Sequence, residues 1–109
     1  MSLVDKQHKF AVAIAKLLLH ANDIGYTVTL GDAFRDSRLH GAVGVKMGYG
    51  NARSCHKVRL AIDINIIDNG KIAGVDKYNN LHDYWDTLGG SARIAMDLNH
   101  FSFAHDGMR

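Results

Sequence analysis

The sequence predicts an α+β domain in which a small antiparallel sheet is flanked by helices, and three observations support this prediction. Apolar residues recur at helical spacing over residues 1–24, which indicates an amphipathic helix. Apolar and other residues alternate over 60–67, which indicates a strand, and Asn69-Gly70 is the pair favoured in a type I′ hairpin turn. A chain of 109 residues can bury one core, so we expect a single domain spanning 1–109.

The first helix has recognisable ends. Ser2 followed by Asp5 resembles a capping box, and we expect the helix to run to about Asn22 or Ile24 and to stop at Gly25. The residues expected on its buried stripe are Val4, Phe10, Ala11, Ile14, Leu17, Leu18 and Ala21.

A short strand over 26–30 and a long loop over 31–53 follow. The loop contains five glycines and several polar or basic residues. Loops of this length inside compact domains are usually functional, so we expect this one to shape a site.

The alternating strand separates two faces. Leu60, Ile62, Ile64 and Ile66 are expected on one face, and Arg59, Ala61, Asp63 and Asn65 on the other. The hairpin then returns the chain through 71–75.

The last two elements are a short helix and a strand. We expect a helix over 81–88, capped by Asn79 or Asn80 and ended by Gly89-Gly90. The segment 99–104 alternates again, with Phe101 and Phe103 on one face and His100 and Ser102 on the other.

Composition is that of an ordinary globular protein. Hydrophobic residues make up 47% and charged residues 22%, and thirteen basic against eleven acidic residues give a net charge of +2. This balance gives no indication of nucleic-acid binding. The lone cysteine, Cys55, excludes a disulfide within the chain.

The apolar runs near the N-terminus, 11–15 and 17–19, are far shorter than the ~20 residues of a membrane span. We expect no membrane insertion and no signal peptide, because Asp5 and His8 interrupt the opening segment. We also expect a monomer.

Two segments together predict a metal site. Asp63 lies opposite the isoleucines of its strand and His100 opposite the phenylalanines, so pairing of the two strands would bring both side chains to one face. His56 lies in the turn before the first strand and can reach over that face. Catalytic zinc takes about three N/O ligands and leaves one position open, so we predict one Zn²⁺ held by His56, Asp63 and His100.

Asp97, three residues before the last ligand, is free to act as a general base. A turn or capping role is the alternative for this aspartate. A site of this kind can also accept other first-row metals. Four of the other histidines, at 8, 20, 40 and 82, are expected to be surface or hydrogen-bonded residues.

The motifs Ser54-x-His56 followed by Arg59-Leu-Ala-Ile-Asp63, and Asp97-x-x-His100-Phe, resemble the zinc D-Ala-D-Ala metallopeptidase superfamily, whose fold is shared with hedgehog-like domains. The similarity covers nearly the whole chain and is closest to the compact phage and prophage members. It implies a single catalytic domain over 1–109 with the three zinc ligands named above and Asp97 as the catalytic acid/base.

The resemblance implies a bacteriophage-type endolysin that cuts the peptidoglycan stem peptide between L-Ala and D-Glu. Such a protein would be made in the host bacterial cytoplasm and would act on the cell wall after release. By the same resemblance Arg35 would clamp a substrate carboxylate, and a surface pairing with Asp32 or Asp36 is its alternative. Ser54 would bind substrate or brace His56, unless it is only a turn serine.

Two positions depart from the family pattern. Many relatives have glycine where Arg59 stands, and we expect a strand residue to replace it there without consequence. Many also have glutamate where Asp97 stands, whereas the phage-type endopeptidases tend to have aspartate.

Three other functions remain open at this point. A D-alanyl-D-alanine carboxypeptidase would use the same metal chemistry, and a non-catalytic module would keep zinc only for structure. A cysteine hydrolase is disfavoured, because adjacent Cys55 and His56 would point to opposite sides of an extended chain.

Aromatic residues and the chain's last segment give weaker signals. Tyr84 and Trp85 are expected in the core rather than on a substrate surface. Tyr49, His105 and Arg109 are second-rank candidates for the cleft.

Overall fold

The computed structural model describes residues 1–109 and contains three α-helices and four β-strands. The helices are α1 (Leu3–Asp23), α2 (Ser37–His40) and α3 (Val75–Thr87), and the strands are β1 (Thr27–Leu30), β2 (Ala61–Asp68), β3 (Lys71–Ile72) and β4 (His100–Ser102). One 3₁₀ turn, Cys55–Val58, precedes β2. The predicted α+β class with a small antiparallel sheet is confirmed.

Strand β2 is the centre of the sheet, and every other strand pairs with it in antiparallel orientation. Strand β1 pairs with residues 64–67, β3 with residues 67–68 and β4 with residues 61–63. The hairpin between β2 and β3 turns at Asn69 (φ 52°) and Gly70 (φ 76°), as a type I′ turn requires. Positive φ at both positions explains why this residue pair predicted the turn.

The core lies between α1, α3 and one face of the sheet. Its fully buried members include Leu17, Ala21, Leu60, Ile64, Ile66, Leu81, Trp85 and Phe101. Trp85 packs edge-on against Phe101 and stacks on Phe103. The expectation that Trp85 belongs to the core is therefore confirmed, and Tyr84 is half-buried against that core.

Helix α1 begins and ends as predicted, with the Ser2 hydroxyl accepting a hydrogen bond from the backbone N–H of Asp5. Its buried stripe differs in detail. Val4 is 72% exposed and Ala11 is also exposed, whereas Ala13 is buried. The sheet covers only a narrow stripe through 10, 14, 17 and 21, and the first turn extends beyond it.

Helix α3 begins six residues earlier than predicted, at Val75 after Gly74, without a side-chain cap. The prediction of a start near Asn79 or Asn80 is wrong because tertiary contacts hold the extra turns. Tyr78 is buried there, and its hydroxyl accepts a hydrogen bond from the backbone N–H of Ile66 in β2.

The segment 31–53 is mostly irregular, as predicted, but it includes the one-turn helix α2 capped by Asp36. Lys57 holds this segment: its ammonium donates to the carbonyls of His40, Ala42 and Val45 at 2.7–3.2 Å. His40 is buried there and its Nδ1 lies 3.2 Å from the carbonyl oxygen of Tyr49, so it is one of the hydrogen-bonded histidines. None of the helices has both the length and the apolar character needed to cross a membrane.

Candidate metal centre

Three side chains converge at the end of β2 where β4 pairs with it. His56 Nε2 lies 3.1 Å from Asp63 Oδ1 and 3.2 Å from His100 Nδ1, and His100 Nδ1 lies 3.7 Å from Asp63 Oδ1. In a tetrahedral zinc site, bonds of about 2.0–2.1 Å separate ligand atoms by about 3.3 Å. The three atoms are therefore spaced as ligands of one metal ion.

The sheet register explains this convergence. Asp63 and His100 are direct partners in the β2–β4 ladder, so their side chains project from the same face. The 3₁₀ turn brings His56 over that face, and the Ser54 hydroxyl caps the turn by accepting from the backbone N–H of His56 at 3.2 Å. The predicted strand pairing is found, and the cap formed by Ser54 is a contact expected both of a residue that braces His56 and of a turn serine.

The protonation of His56 fits a metal ligand. Its Nδ1 lies 2.7 Å from the carbonyl oxygen of Ala33, which can only accept, so Nδ1 carries the proton of the neutral ring. The lone pair of Nε2 then faces the Asp63 carboxylate and the His100 ring. This arrangement of a carbonyl, an imidazole and an open lone pair is typical of metal-binding histidines in proteins.

The Asp63 carboxylate is held in its charged form. Burial alone would raise its pKa, but the neighbouring imidazoles of His100 and His56 hold that pKa well below the usual range. His56 and His100 are almost completely buried. A charged, half-buried carboxylate between two buried imidazoles is a donor set suited to a divalent cation.

A cleft of about 610 Å³ opens beside this centre. Its lining residues are Arg35, Gly50, Asn51, Arg53, Ser54, Ile94, Asp97, His100, Gly107, Met108 and Arg109. This cleft therefore contains one proposed metal ligand, His100, together with the three other site residues predicted from the sequence, Asp97, Arg35 and Ser54. Of the second-rank candidates, Arg109 lines the cleft and His105 does not.

Asp97 lies in the turn that leads into β4. Its backbone carbonyl accepts from the N–H of His100 at 3.1 Å, and its own N–H donates to the carbonyl of Ile94. The carboxylate is exposed and has no ion pair or hydrogen bond within the protein. The two roles predicted for Asp97 are thus compatible. Its backbone forms the turn, and its side chain is left free for proton transfer.

Arg35 lines the cleft, as predicted for a residue that binds substrate, and it also lies near Asp32, as its alternative role as a paired arginine predicted. Its Nη1 donates to Ser54 Oγ at 3.3 Å, and its Nε lies 3.5 Å from Asp32 Oδ2. The guanidinium also lies 5.4 Å from the centre of the Tyr49 ring, and the Tyr49 hydroxyl donates to Asp32 Oδ2 at 2.6 Å. That hydrogen bond raises the pKa of Tyr49. Tyr49 and Asp32 thus hold Arg35 at the cleft, a role that no spacing in the sequence indicates.

Of the two roles expected for His82, surface or hydrogen-bonded, the structure shows the second: it is completely buried, and its Nε2 donates to the carbonyl of Leu98 at 2.8 Å. The expectation for Arg59 needs correction. Arg59 is not a strand residue: with φ 58° and ψ 34° it ends the 3₁₀ turn in the left-handed region, where glycine is favoured.

Cys55 is placed as a structural residue. Its side chain is completely buried and its thiol donates to the carbonyl of Phe103. Burial raises the pKa of this thiol, which disfavours the nucleophilic thiolate. These features oppose the cysteine-hydrolase alternative.

Comparisons with known proteins identify no family for this chain. No protein-family model, no curated protein and no solved structure matches it.

Proposed function

We propose that this protein is a zinc-dependent peptidoglycan peptidase of the phage-endolysin type, which hydrolyses the stem peptide at the L-Ala–D-Glu bond. The observation that carries the proposal is the convergence of His56 Nε2, Asp63 Oδ1 and His100 Nδ1 beside a cleft lined by Asp97 and Arg35. Histidine and carboxylate donors of this number favour a catalytic zinc site with an open position.

Zinc, when bound, would polarise the scissile carbonyl and the attacking water. The other steps fall to the chain's own residues. Asp97 would take a proton from the water that attacks the carbonyl carbon, and would deliver it to the amine nitrogen as the C–N bond breaks. An exposed carboxylate without a partner in the protein is free for both transfers.

Arg35 would hold the carboxylate next to the scissile bond. A guanidinium pairs with a carboxylate through two parallel hydrogen bonds, which fixes the orientation of the substrate as well as its position. Ser54 supports this role, since its hydroxyl contacts both Arg35 Nη1 and the backbone of His56.

The choice of bond rests on the resemblance to the phage-type endopeptidases, including the aspartate at position 97. A D-Ala-D-Ala carboxypeptidase would need the same metal ligands, base and carboxylate clamp. A test of the proposal must therefore distinguish the carboxypeptidase activity from the endopeptidase activity.

The test is digestion of defined muropeptides by the zinc-loaded protein, with the products identified by mass spectrometry. We expect fragments with a newly exposed D-Glu amino terminus and no products after chelation. Release of free D-Ala instead would establish the carboxypeptidase. A protein that holds stoichiometric zinc and releases neither product would be a non-catalytic zinc module, and the proposal would be wrong.

A further inference from the structure

The cleft beside the metal centre is basic. Three arginine side chains line it, those of Arg35, Arg53 and Arg109, against a single acidic side chain, that of Asp97. Arg35 is partly neutralised by Asp32 outside the cleft lining. The cleft therefore contains more positive charge than one substrate carboxylate would balance.

Arg53 is fixed without being neutralised. Its Nη2 donates to the backbone carbonyl of Asp106 at 3.1 Å, and its backbone N–H donates to Asn51 Oδ1 at 3.0 Å. It takes part in no ion pair, whereas Arg38 and Arg93 each pair with aspartate. A neutral carbonyl thus positions the guanidinium and leaves its Nε and Nη1 donors available to a ligand.

Arg53 also precedes Ser54 directly, and the Ser54 hydroxyl contacts Arg35. The two arginines are therefore joined through adjacent residues of the cleft lining, 53 and 54. Like charges that line one cleft repel each other, and an anionic ligand relieves this repulsion, so the arrangement favours ligands with more than one negative charge.

We propose that Arg53 forms a second anion subsite, which selects acidic peptides carrying a carboxylate in addition to the one that Arg35 holds. This inference rests on the proposed function, since it assigns the substrate class of the same cleft. A peptide with two carboxylates on the leaving side would pair one with Arg35 and the other with Arg53. Stem peptides with diaminopimelate as the third residue have that second carboxylate, whereas its side-chain amide and lysine lack it.

The first test compares hydrolysis of two synthetic stem peptides that differ only in the third residue, diaminopimelate or its side-chain amide. We expect kcat/KM to be about tenfold higher for the free acid, the effect of one charge-assisted pair. Arg53→Gln should remove the preference by slowing hydrolysis of the acid alone. Arg38→Gln, an exposed arginine outside the cleft, should keep it. A preference that survives Arg53→Gln, or no preference in the parent protein, would overturn the proposal.

A second measurement separates failure of this inference from failure of the proposed function. Calorimetry of the zinc-loaded Asp97→Asn variant would compare two γ-linked D-Glu–diaminopimelate dipeptides in which the α-carboxyl of diaminopimelate is blocked as an amide, one with a free side-chain carboxylate and the other with that carboxylate also converted to an amide. We expect about tenfold tighter binding of the acid, lost in the Asp97→Asn, Arg53→Gln double variant. If neither stem peptide is hydrolysed, this binding difference still supports the subsite, and equal binding of both dipeptides contradicts it.

Discussion

His56 Nε2 lies 3.1 Å from Asp63 Oδ1, and in the neutral ring neither atom carries a proton. The proton of His56 is on Nδ1, where the Ala33 carbonyl accepts it. Only His100 Nδ1, at 3.2 Å and 3.7 Å from the two atoms, can place a proton between them. The site thus brings together lone pairs and a negative charge, which a bound cation would stabilise.

Zinc is therefore expected to stabilise the fold. If free zinc is at 100 times its Kd, linkage adds about 2.7 kcal/mol, a rise in Tm on the order of 10 °C. Asp63→Asn should lose both the bound zinc and this rise, because the amide removes the charge while keeping the shape. His8→Ala, an exposed histidine on α1, should keep both. Metal analysis and thermal unfolding with and without chelator check this, and full zinc content in Asp63→Asn would contradict the ligand assignment.

Asp97→Asn should abolish hydrolysis and leave the metal in place. Loss of a general base typically lowers kcat by about 10²–10⁴-fold, whereas Asp97 belongs neither to the ligand set nor to the core. The control is Asp23→Asn, an exposed aspartate at the end of α1 and outside the cleft. Activity assays with parallel zinc analysis decide the matter. Undiminished hydrolysis in Asp97→Asn would exclude this aspartate from the reaction.

The convergence of the candidate metal ligands was predictable because strand alternation fixes which side chains share a face. Asp63 and His100 stand opposite apolar residues in two separate segments, and antiparallel pairing of those segments makes them neighbours. The type I′ turn was equally predictable, because Asn69-Gly70 suits positive φ at two successive positions. These features depend on local geometry that sequence patterns express directly.

Two features that depend on tertiary contacts, the start of α3 and the contacts of Tyr49, were not predicted from the sequence. The first turns of α3 are stabilised by the buried Tyr78, whose hydroxyl accepts a hydrogen bond from the backbone of Ile66 in β2. The sequence instead suggested a helix start at Asn79 or Asn80, because asparagine is a common capping residue. The contact of Tyr49 with Asp32 and Arg35 joins residues of an irregular loop that has no period. Such contacts depend on the path that the loop takes in three dimensions. The alternation of apolar and polar residues along the sequence does not indicate that path.

The buried His82 should make stability depend on pH. Burial lowers its pKa below the ordinary value of 6.5, and its Nδ1 is buried without a partner. A group whose pKa is lower in the folded state contributes stability that is fully present above pH 6.5 and is lost as the pH falls below it. His82→Gln can keep the donor to Leu98 but cannot titrate. The check is to measure the free energy of unfolding in urea at pH 7.5 and 5.5 for the parent protein and for the variant. The parent should lose more stability at the lower pH, and an equal loss in both proteins would contradict the prediction.

Arg59 should be replaced more readily by glycine than by alanine. Both changes remove the contact of its guanidinium with the Phe34 ring, 3.9 Å away. Only alanine keeps a Cβ at φ 58°, which costs about 1–2 kcal/mol in the left-handed region. Arg59→Ala should therefore be less stable than Arg59→Gly by about that amount in urea unfolding. Equal stability of the two variants would show that the backbone is not strained there.

Gly50→Ala should weaken substrate binding by moving Arg35. A Cβ at Gly50 would come within 2.5 Å of Arg35 Nη1, so the guanidinium must leave its present position beside Ser54. Gly44→Ala is the matched control, because its φ of 87° is close to the 91° of Gly50 and a Cβ there meets nothing within 4 Å. Both variants should lose about 1–2 kcal/mol of stability from the strained backbone.

Only Gly50→Ala should raise KM, by roughly tenfold if the clamp contributes about 1.4 kcal/mol, with a smaller change in kcat. The kinetic comparison is made at a temperature where both variants are folded, as circular dichroism establishes. Because the two variants share their backbone strain, a KM difference between them reports the position of Arg35 and not the stability of the loop. The same KM in both would mean that Arg35 does not bind the substrate.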